Sequence, residues 1–189
     1  LIGFNTDAPG FRAGVELAMD RSLDGADVVV MGAGGAAHAV VYACLDAGAR
    51  SVVVANRSVD RAAALVERFA EVGQGSLTAL AADDPSLADA LAGADLAVNA
   101  TTVGMIDPGA TIPVGALRAD ATVFDLVYVP AETPLVAAAR ARGLRAANGA
   151  EMLIAQAAIA FERWTGVGGM ADVMRQAVAP LLADPTVRA

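Results

Sequence analysis

The sequence of 189 residues contains no lysine, one cysteine and one histidine. All thirteen basic residues are arginines, so no lysine-dependent chemistry can originate in this chain. The single Cys44 excludes an internal disulfide, is expected in the core, and fits a reducing compartment, which predicts a cytoplasmic location. His38 is expected to be packed or solvated rather than catalytic. No cluster of side chains has metal-ligand spacing, so we expect no metal site.

Aromatic residues are scarce, at 4%, whereas hydrophobic residues make up 56% of the chain. The core must therefore be built mainly from alanine, valine and leucine, which suits tightly packed α/β layers. The length favours one domain. The net charge of −8 repels polyanions, so we expect neither nucleic acid nor an anionic membrane as a partner.

The start of the chain lacks a charged segment followed by an apolar one, so no signal peptide is predicted. One apolar run, Val28 to Leu45, is long enough to suggest a membrane span. Its parts are instead typical of a strand, a glycine turn and a helix. Leu1 stands where an initiator Met would be, which predicts that the sequence begins inside a longer polypeptide.

Short β-branched runs alternate with alanine-rich helical patterns from Asp27 onward, which is typical of β-α-β units on a parallel sheet. We predict strands at Asp27 to Met31, Ser51 to Ala55, Ser76 to Leu80, Leu96 to Val98, Thr122 to Leu126 and Leu144 to Ala147. We predict helices at Ala36 to Ala47, Val59 to Val72, Ser86 to Leu91, Pro134 to Arg142, Glu151 to Thr165 and Met170 to Leu182. Six strands with crossovers predict an α/β fold with a doubly wound, Rossmann-like parallel sheet and carboxyl-terminal helices.

A glycine-rich turn between the first strand and its helix has the position of a dinucleotide fingerprint. Gly32 permits a tight turn, while Gly34 or Gly35 lets a pyrophosphate approach the backbone. Free amides and the helix dipole would stabilise the phosphates. The predicted cofactor-binding residues of this turn are Gly32, Ala33, Gly34, Gly35 and Ala36. An ordinary glycine turn between a strand and a helix is the alternative.

The end of the second strand decides which dinucleotide is preferred. It carries no acidic residue for a ribose hydroxyl, and it continues with Asn56, Arg57, Ser58 and Arg61, which fit the 2′-phosphate of NADP. Two hydrogen bonds to that phosphate would favour NADP by about a hundredfold or more. The nearby carboxylate of Asp60 weakens the positive electrostatic field of the two arginines. The alternative is an ordinary helix start, with Ser58 as N-cap and two solvated arginines.

Candidate ligand-binding residues follow the later predicted strands. Asn99 and Thr101 lie after the fourth strand, Tyr128 after the fifth, and Gly149 and Gln156 after the sixth. Ligands of open α/β folds bind at this carboxyl edge.

The motifs from Gly3 to Gly166, taken in order, resemble the carboxyl-terminal part of the shikimate/quinate dehydrogenase family. The opening Asn5-Thr6-Asp7 is similar to that family's Asn-Thr-Asp motif. The resemblance implies NADPH-dependent, reversible reduction of 3-dehydroshikimate to shikimate, in the pathway to aromatic amino acids. It also implies that Asp7 is the acidic member of a Lys-Asp pair that assists proton transfer while the nicotinamide delivers hydride.

The resemblance further implies two groups of binding residues. The substrate-binding group is Asn5, Tyr128 and Gln156, and the cofactor-binding group beyond the two motifs is Asn99, Thr101, Met105, Gly149 and Met152. In this assignment Gly149 lets the nicotinamide approach closely. Plainer alternatives are a half-buried strand-end aromatic for Tyr128, core filler for Met105 and a helix-surface amide for Gln156.

The chain departs from the family's pattern at its beginning. The family carries an amino-terminal domain with paired serines, an Asn and the catalytic Lys, none of which precedes Gly3, and Ala8 stands where the family usually has Gly. We therefore expect residues 1–189 to be an NADP-binding domain, with helical segments at 1–20 and 151–183 near the junction to a missing substrate domain.

Other functions remain open at this point. A dinucleotide-binding module without catalysis, serving regulation or assembly, would share every cofactor motif. Glutamyl-tRNA reductase and methylenetetrahydrofolate dehydrogenase have related architectures, although Tyr128 to Pro134 and Met152 to Gln156 fit shikimate dehydrogenase better. Quinate or an amino-shikimate is an alternative substrate, and a homodimer is an alternative to a monomer.

Overall fold

The computed structural model describes residues 3–20, 22–106 and 109–183. Its six strands are β1 Asp27–Met31, β2 Ser51–Asn56, β3 Ser76–Ala81, β4 Leu96–Asn99, β5 Thr122–Asp125 and β6 Arg145–Asn148. They form one parallel sheet in the order β3-β2-β1-β4-β5-β6. The strand order reverses between β1 and β4, where a doubly wound sheet opens its ligand crevice. The predicted Rossmann-like fold is confirmed.

Helices cover both faces of the sheet. They are α1 Asp7–Met19, α2 Gly35–Asp46, α3 Val59–Phe69, α4 Ser86–Gly93, α5 Pro134–Ala141, α6 Ala150–Thr165 and α7 Ala171–Ala183, with a 3-10 turn at Val114–Ala116. The alternation of strand side chains divides the core, because Val28 and Val30 face α1, α2 and α3, whereas Val29 and Met31 face α4 and α5. Burial on both faces explains why these strands are nearly continuous apolar runs.

The predicted strands and helices are all present, and their ends lie within two residues of the prediction except in α3. That helix was predicted to reach Val72 but ends at Phe69. The Val72 amide donates to the Phe69 carbonyl at 2.9 Å, and Gly73 has a φ of 69°. This turn takes the chain out of the helix before the apolar pattern ends. The 3-10 turn was not predicted, because three residues carry no periodicity.

No helix within the described ranges is long and apolar enough to cross a membrane. The apolar run from Val28 to Leu45 is divided among β1, the glycine turn and α2, as predicted.

Helices α1 and α6 cross at two glycines of α1. A Cβ on Gly10 would lie 2.8 Å from the Cβ of Gln156 and 2.9 Å from the carbonyl oxygen of Met152. A Cβ on Gly14 would lie 3.0 Å from the amide nitrogen of Met152. Only residues without a side chain allow so close an approach. The crossing therefore holds the start of α1, which carries Asp7, beside α6.

Candidate active site

Four neighbouring strands end in register at the carboxyl edge of the sheet. Met31 pairs with Asn99, Asn99 with Asp125, and Asp125 with Asn148. Three polar side chains thus stand next to one another at the ends of β4, β5 and β6. Since open α/β sheets bind ligands at this edge, these strand ends and the start of α2 delimit the candidate site.

Gly32 makes the tight turn that leads from β1 to α2. Its φ is 114°, and its amide donates to the Ala55 carbonyl at 2.8 Å. A Cβ here would lie 2.9 Å from both the Ala100 carbonyl oxygen and the Thr101 methyl carbon. Both the backbone conformation and the crowding require glycine at this position, so the fold itself explains Gly32.

Gly34 and Gly35 are different, because the fold gives no reason for glycine at either position. Neither has a positive φ, and a Cβ on either would meet no heavy atom within 4 Å. Both residues are exposed. They open α2, whose first turn has no acidic residue and whose N-cap, Gly34, provides no side-chain hydrogen bond. The amides of this turn are therefore free to bind an anion.

The end of β2 presents two exposed arginines. Asn56 donates from Nδ2 to the Ser58 carbonyl at 2.9 Å, which closes the chain around Arg57. Ser58 occupies the N-cap position of α3, but its side chain makes no capping bond. Among the ion pairs of the described residues, none involves Arg57 or Arg61. Arg61 lines a cleft of about 440 Å³ together with Ala33 of the glycine turn.

A second cleft, of about 170 Å³, lies between α1, the start of α2 and the ends of β5 and β6. The residues that line it are Asp7, Ala36, Leu126, Tyr128, Gly149, Met152, Leu153 and Gln156. Six of these were predicted as site residues from the sequence, and the fold brings them together from four separate segments. The Thr6 hydroxyl donates to Gln156 Oε1 at 3.2 Å, so α1 and α6 are also bonded at this cleft.

Asn5 lies apart from the other predicted substrate-binding residues. Its Oδ1 accepts a hydrogen bond from the Ala8 amide at 2.9 Å, which caps the first turn of α1. The residue lines a neighbouring cleft of about 450 Å³ that also borders Gly35 and His38. Asn5 thus fixes the direction in which α1, and with it Asp7, leaves the turn.

Asn99 and Thr101 are hydrogen-bonded to each other, and Asn99 is also hydrogen-bonded to Thr111. Asn99 is 1% exposed, and its Oδ1 accepts from the Thr101 amide at 3.1 Å, the Thr101 hydroxyl at 2.7 Å and the Thr111 hydroxyl at 3.0 Å. Met105 ends a turn of the same loop, where its amide donates to the Thr102 carbonyl at 3.2 Å. These contacts fix the shape of the loop after β4. Cofactor binding by Asn99, Thr101 and Met105 stays a prediction.

Asp125 is a buried carboxylate that was not among the predicted site residues. Its Oδ1 accepts from Asn99 Nδ2 at 2.8 Å and from the Val127 amide at 3.1 Å, and its Oδ2 accepts from the Thr133 hydroxyl at 2.6 Å. Thr133 in turn caps α5 through the Val136 amide at 3.2 Å. One carboxylate therefore connects the loop after β4 to the segment after β5 that carries Tyr128.

Burial raises the pKa of Asp125 above its ordinary value of 3.8, and the hydrogen bonds from Thr133, the Val127 amide and Asn99 oppose that shift only in part. Between the pKa of Asp125 in the unfolded chain and its higher pKa in the folded protein, the unfolded chain has already released the proton while the folded protein still holds it. As pH rises through this range, the contribution of Asp125 to the free energy of unfolding therefore falls. We expect Asp125→Asn, which cannot titrate, to gain stability relative to the unsubstituted protein by up to about 1.4 kcal/mol per pH unit between the two pKa values.

Urea unfolding of both proteins at a series of pH values from about 3 to 7 measures this difference. A difference that is constant with pH would show that Asp125 titrates alike in the folded and unfolded states.

Gly149, at the junction of β6 and α6, is enclosed by the fold. A Cβ on it would overlap the Leu126 carbonyl oxygen and lie 2.8 Å from the Leu126 carbonyl carbon. Its amide donates to the Val127 carbonyl at 3.2 Å. The close approach of two backbone segments therefore requires glycine here, and the same approach places α6 beside the segment that carries Tyr128.

Two kinds of chemistry lack suitable groups in the part of the chain that the structure describes. No group of three or more His, Cys, Asp or Glu residues there could hold a metal ion. Cys44 is fully buried, and burial raises the pKa of its thiol to about 12. A protonated, enclosed thiol is inert, so Cys44 is the core residue that was predicted.

Two models of one family match the chain. The model of shikimate/quinate 5-dehydrogenase matches residues 16–105, and the model of the shikimate 5′-dehydrogenase C-terminal domain matches residues 149–179. The chain belongs to the shikimate/quinate dehydrogenase family. Among curated members of this family, the shikimate dehydrogenase (NADP(+)) of Carboxydothermus hydrogenoformans is 40% identical over 94% of this chain and 63% of its own length.

Solved structures from this family share the fold. The quinate dehydrogenase of Corynebacterium glutamicum in complex with NAD has a TM-score of 0.85 and 38% identity, over 94% of this chain and 63% of that one. The shikimate 5-dehydrogenase of Thermus thermophilus in complex with NADP(H) and shikimate has a TM-score of 0.78 and 37% identity, with the same coverage. The chain spans about three fifths of the length of the curated relatives it matches.

Proposed function

We propose that this chain is the cofactor-binding part of an NADP-dependent shikimate dehydrogenase, which interconverts 3-dehydroshikimate and shikimate by hydride transfer. In this proposal residues 1–189 form the NADP-binding domain. The segments 1–20 and 151–183 lie near the junction to an amino-terminal substrate domain of the same polypeptide.

The observation that carries the proposal is the unexplained pair of glycines at the start of α2. Gly32 is required by the fold, whereas Gly34 and Gly35 leave open space where a Cβ would point. A ligand that approaches the backbone closely accounts for both, and the uncapped helix start favours an anionic ligand such as a pyrophosphate.

The preference for NADP rests on the end of β2. Asn56 stands where an NAD-binding site would carry a carboxylate, and Arg57 and Arg61 are exposed beside it without an ion pair among the described residues. A guanidinium matches the geometry of a phosphate, so the two arginines would hold the 2′-phosphate. Ala33, which shares a cleft with Arg61, connects this position to the glycine turn.

The reaction end of the proposed site is the cleft that Asp7, Tyr128 and Gln156 line. The bound cofactor supplies the hydride to the carbonyl carbon of the substrate. The phenol of Tyr128 and the amide of Gln156 would hold substrate hydroxyls, and Asp7 would take part in transferring the proton to the oxygen that gains charge. This chain has no lysine, so the lysine of the Lys-Asp pair would come from the amino-terminal domain.

An assay of the full-length protein tests the proposed function. Shikimate and quinate, each with NADP and with NAD, form four combinations, of which shikimate with NADP is expected to be turned over with the highest kcat/KM. NADPH binding without turnover of either substrate would favour the catalytically inactive module. Sedimentation of the same protein tests the homodimer.

Single substitutions test the cofactor preference. Arg57→Ala and Arg61→Ala are each expected to raise the Kd for NADPH about tenfold, near the lower end of the range for a hydrogen bond to a charged group, because both side chains are exposed. The Kd for NADH should not change. Titration calorimetry measures both constants.

Arg118→Ala is a matched control, because the Arg118 guanidinium pairs with Asp95 and Asp120 far from the carboxyl edge. Equal affinities of the unsubstituted protein for NADPH and NADH would contradict the assignment.

A further inference from the structure

His38 is the fourth residue of α2, and its side chain folds back toward the glycine turn. Its Nδ1 lies 2.8 Å from the carbonyl oxygen of Gly34. A carbonyl oxygen can only accept a hydrogen bond, so Nδ1 carries the hydrogen and donates it. The imidazole is thus bonded to the peptide group that also contains the amide of Gly35.

The main-chain bond to the same carbonyl is long. The His38 amide lies 3.4 Å from the Gly34 oxygen, beyond the usual range of roughly 2.7–3.2 Å for an N–H···O bond. The bond from the imidazole Nδ1 to the same oxygen is shorter, at 2.8 Å. The side chain therefore contributes more than the first helical hydrogen bond to holding the Gly34 carbonyl.

Holding that carbonyl also sets the direction of the next amide. The C=O of Gly34 and the N–H of Gly35 belong to one planar trans peptide group, in which they point in opposite directions. Both residues lack a Cβ, so no side chain restricts the orientation of this peptide. With the oxygen bonded to His38, the Gly35 N–H is aimed in the opposite direction, away from α2.

The imidazole ring is held in place by the next helix. The rings of His38 and Phe69 meet edge to face with centroids 5.9 Å apart. His38 also lines the cleft that contains Arg61 and Arg68. The contact with Phe69 of α3 thus limits the movement of the imidazole ring, and with it the position of the Nδ1–H donor.

We propose that His38 is a positioning residue for the phosphate-binding amide of Gly35. Its Nδ1–H holds the Gly34 carbonyl, and this aims the Gly35 N–H at a phosphate of the bound dinucleotide. The inference rests on the proposed function, and it adds to the glycine turn a side chain that the pattern of glycines does not include.

A pair of substitutions in the full-length protein separates the hydrogen bond from the ring. His38→Phe keeps an aromatic ring against Phe69 but has no donor, and it is expected to raise the Kd for NADPH about threefold to tenfold. His38→Ser loses the ring, but a serine hydroxyl can bond the carbonyl four residues earlier, and it is expected to bind NADPH more tightly than His38→Phe. Titration calorimetry gives these constants.

A second ligand shows where the effect acts. Adenosine 2′-phosphate carries the 2′-phosphate but no pyrophosphate, so His38→Phe is expected to raise the Kd for this ligand by a smaller factor than it raises the Kd for NADPH. A His38→Phe variant that binds NADPH as tightly as the unsubstituted protein would overturn the inference. An equal rise of the Kd for NADPH and the Kd for adenosine 2′-phosphate would also overturn the inference. Weaker NADPH binding by His38→Ser than by His38→Phe would overturn it as well. No NADPH binding by the unsubstituted protein would overturn the proposed function and this inference together.

Discussion

Asp7→Ala in the full-length protein is expected to lower kcat for shikimate oxidation about 100-fold to 10,000-fold, the usual range for removing a general acid or base. Asp7 lines the cleft with Tyr128 and Gln156, whereas the phosphates would be held by main-chain amides at the start of α2. The Kd for NADPH is therefore expected to stay within about twofold, because a loss confined to the reacting centre appears in kcat. Stopped-flow turnover and calorimetry measure the two quantities.

Asp7 also lies in the first turn of α1, where a carboxylate interacts favourably with the helix dipole. Asp89→Ala is the matched control, because Asp89 is an exposed acid in the first turn of α4 on the other face of the sheet. Both variants lose a helix-terminal charge, whereas only Asp7→Ala loses a group of the cleft. Unchanged turnover in Asp7→Ala would remove Asp7 from the mechanism, and an equal loss in Asp89→Ala would attribute the effect to helix stability.

We expect Asp7→Ala to change kcat without changing the Kd for NADPH because the two ends of the site are built differently. Phosphates would be held by main-chain amides at the start of α2, and these depend on backbone conformation. Substrate hydroxyls and the proton would be handled by side chains from α1, α6 and the segment after β5. The two ends meet at Ala36, which lines the reaction cleft although it belongs to the glycine turn.

Much of the fold could be predicted because its signals are local. The valine run of β1, followed at once by Gly32, predicted that strand to the residue. The end of α3 could not be predicted in the same way. The apolar pattern continues to Val72, but the φ of Gly73 and the tight turn at Phe69 end the helix, and both depend on packing against α2, where the Leu45 carbonyl lies within 2.6 Å of where a Gly73 Cβ would be.

The candidate site was predictable where it is contiguous in sequence. Gly32 to Ala36 follow a recognisable pattern, and the absence of an acid at Asn56 is visible without a structure. The network around Asp125 was not predictable, because Asn99 and Asp125 are 26 residues apart and meet only through strand register. A polar residue beside the carboxyl end of each of two predicted strands is the signal that could have pointed to it, since Asn99 directly follows one of them and Asp125 is the last residue but one of the other.

Gly149→Ala is expected to lower the free energy of unfolding by about 3 kcal/mol, at the upper end of the usual cost of overpacking. The added methyl would overlap the Leu126 carbonyl, and both partners are backbone, so neither can rotate away. Relief would require the start of α6 to move from the segment after β5. That movement would also separate Met152 and Gln156 from Tyr128, so weaker binding of substrate is expected along with the shift in the urea midpoint.

Gly34→Ala is the matched control, because Gly34 and Gly149 are both N-cap glycines at the carboxyl edge of the sheet. Replacing glycine by alanine at an N-cap costs about 1 kcal/mol or less, and this cost is common to both variants. Only Gly149 has backbone atoms in the way, whereas a Cβ on Gly34 would meet nothing within 4 Å. A larger loss of stability in Gly149→Ala than in Gly34→Ala would show that the fold requires the first glycine. Equal losses would mean that the junction of β6 and α6 yields to a methyl group, and the position of α6 beside Tyr128 would then need another cause.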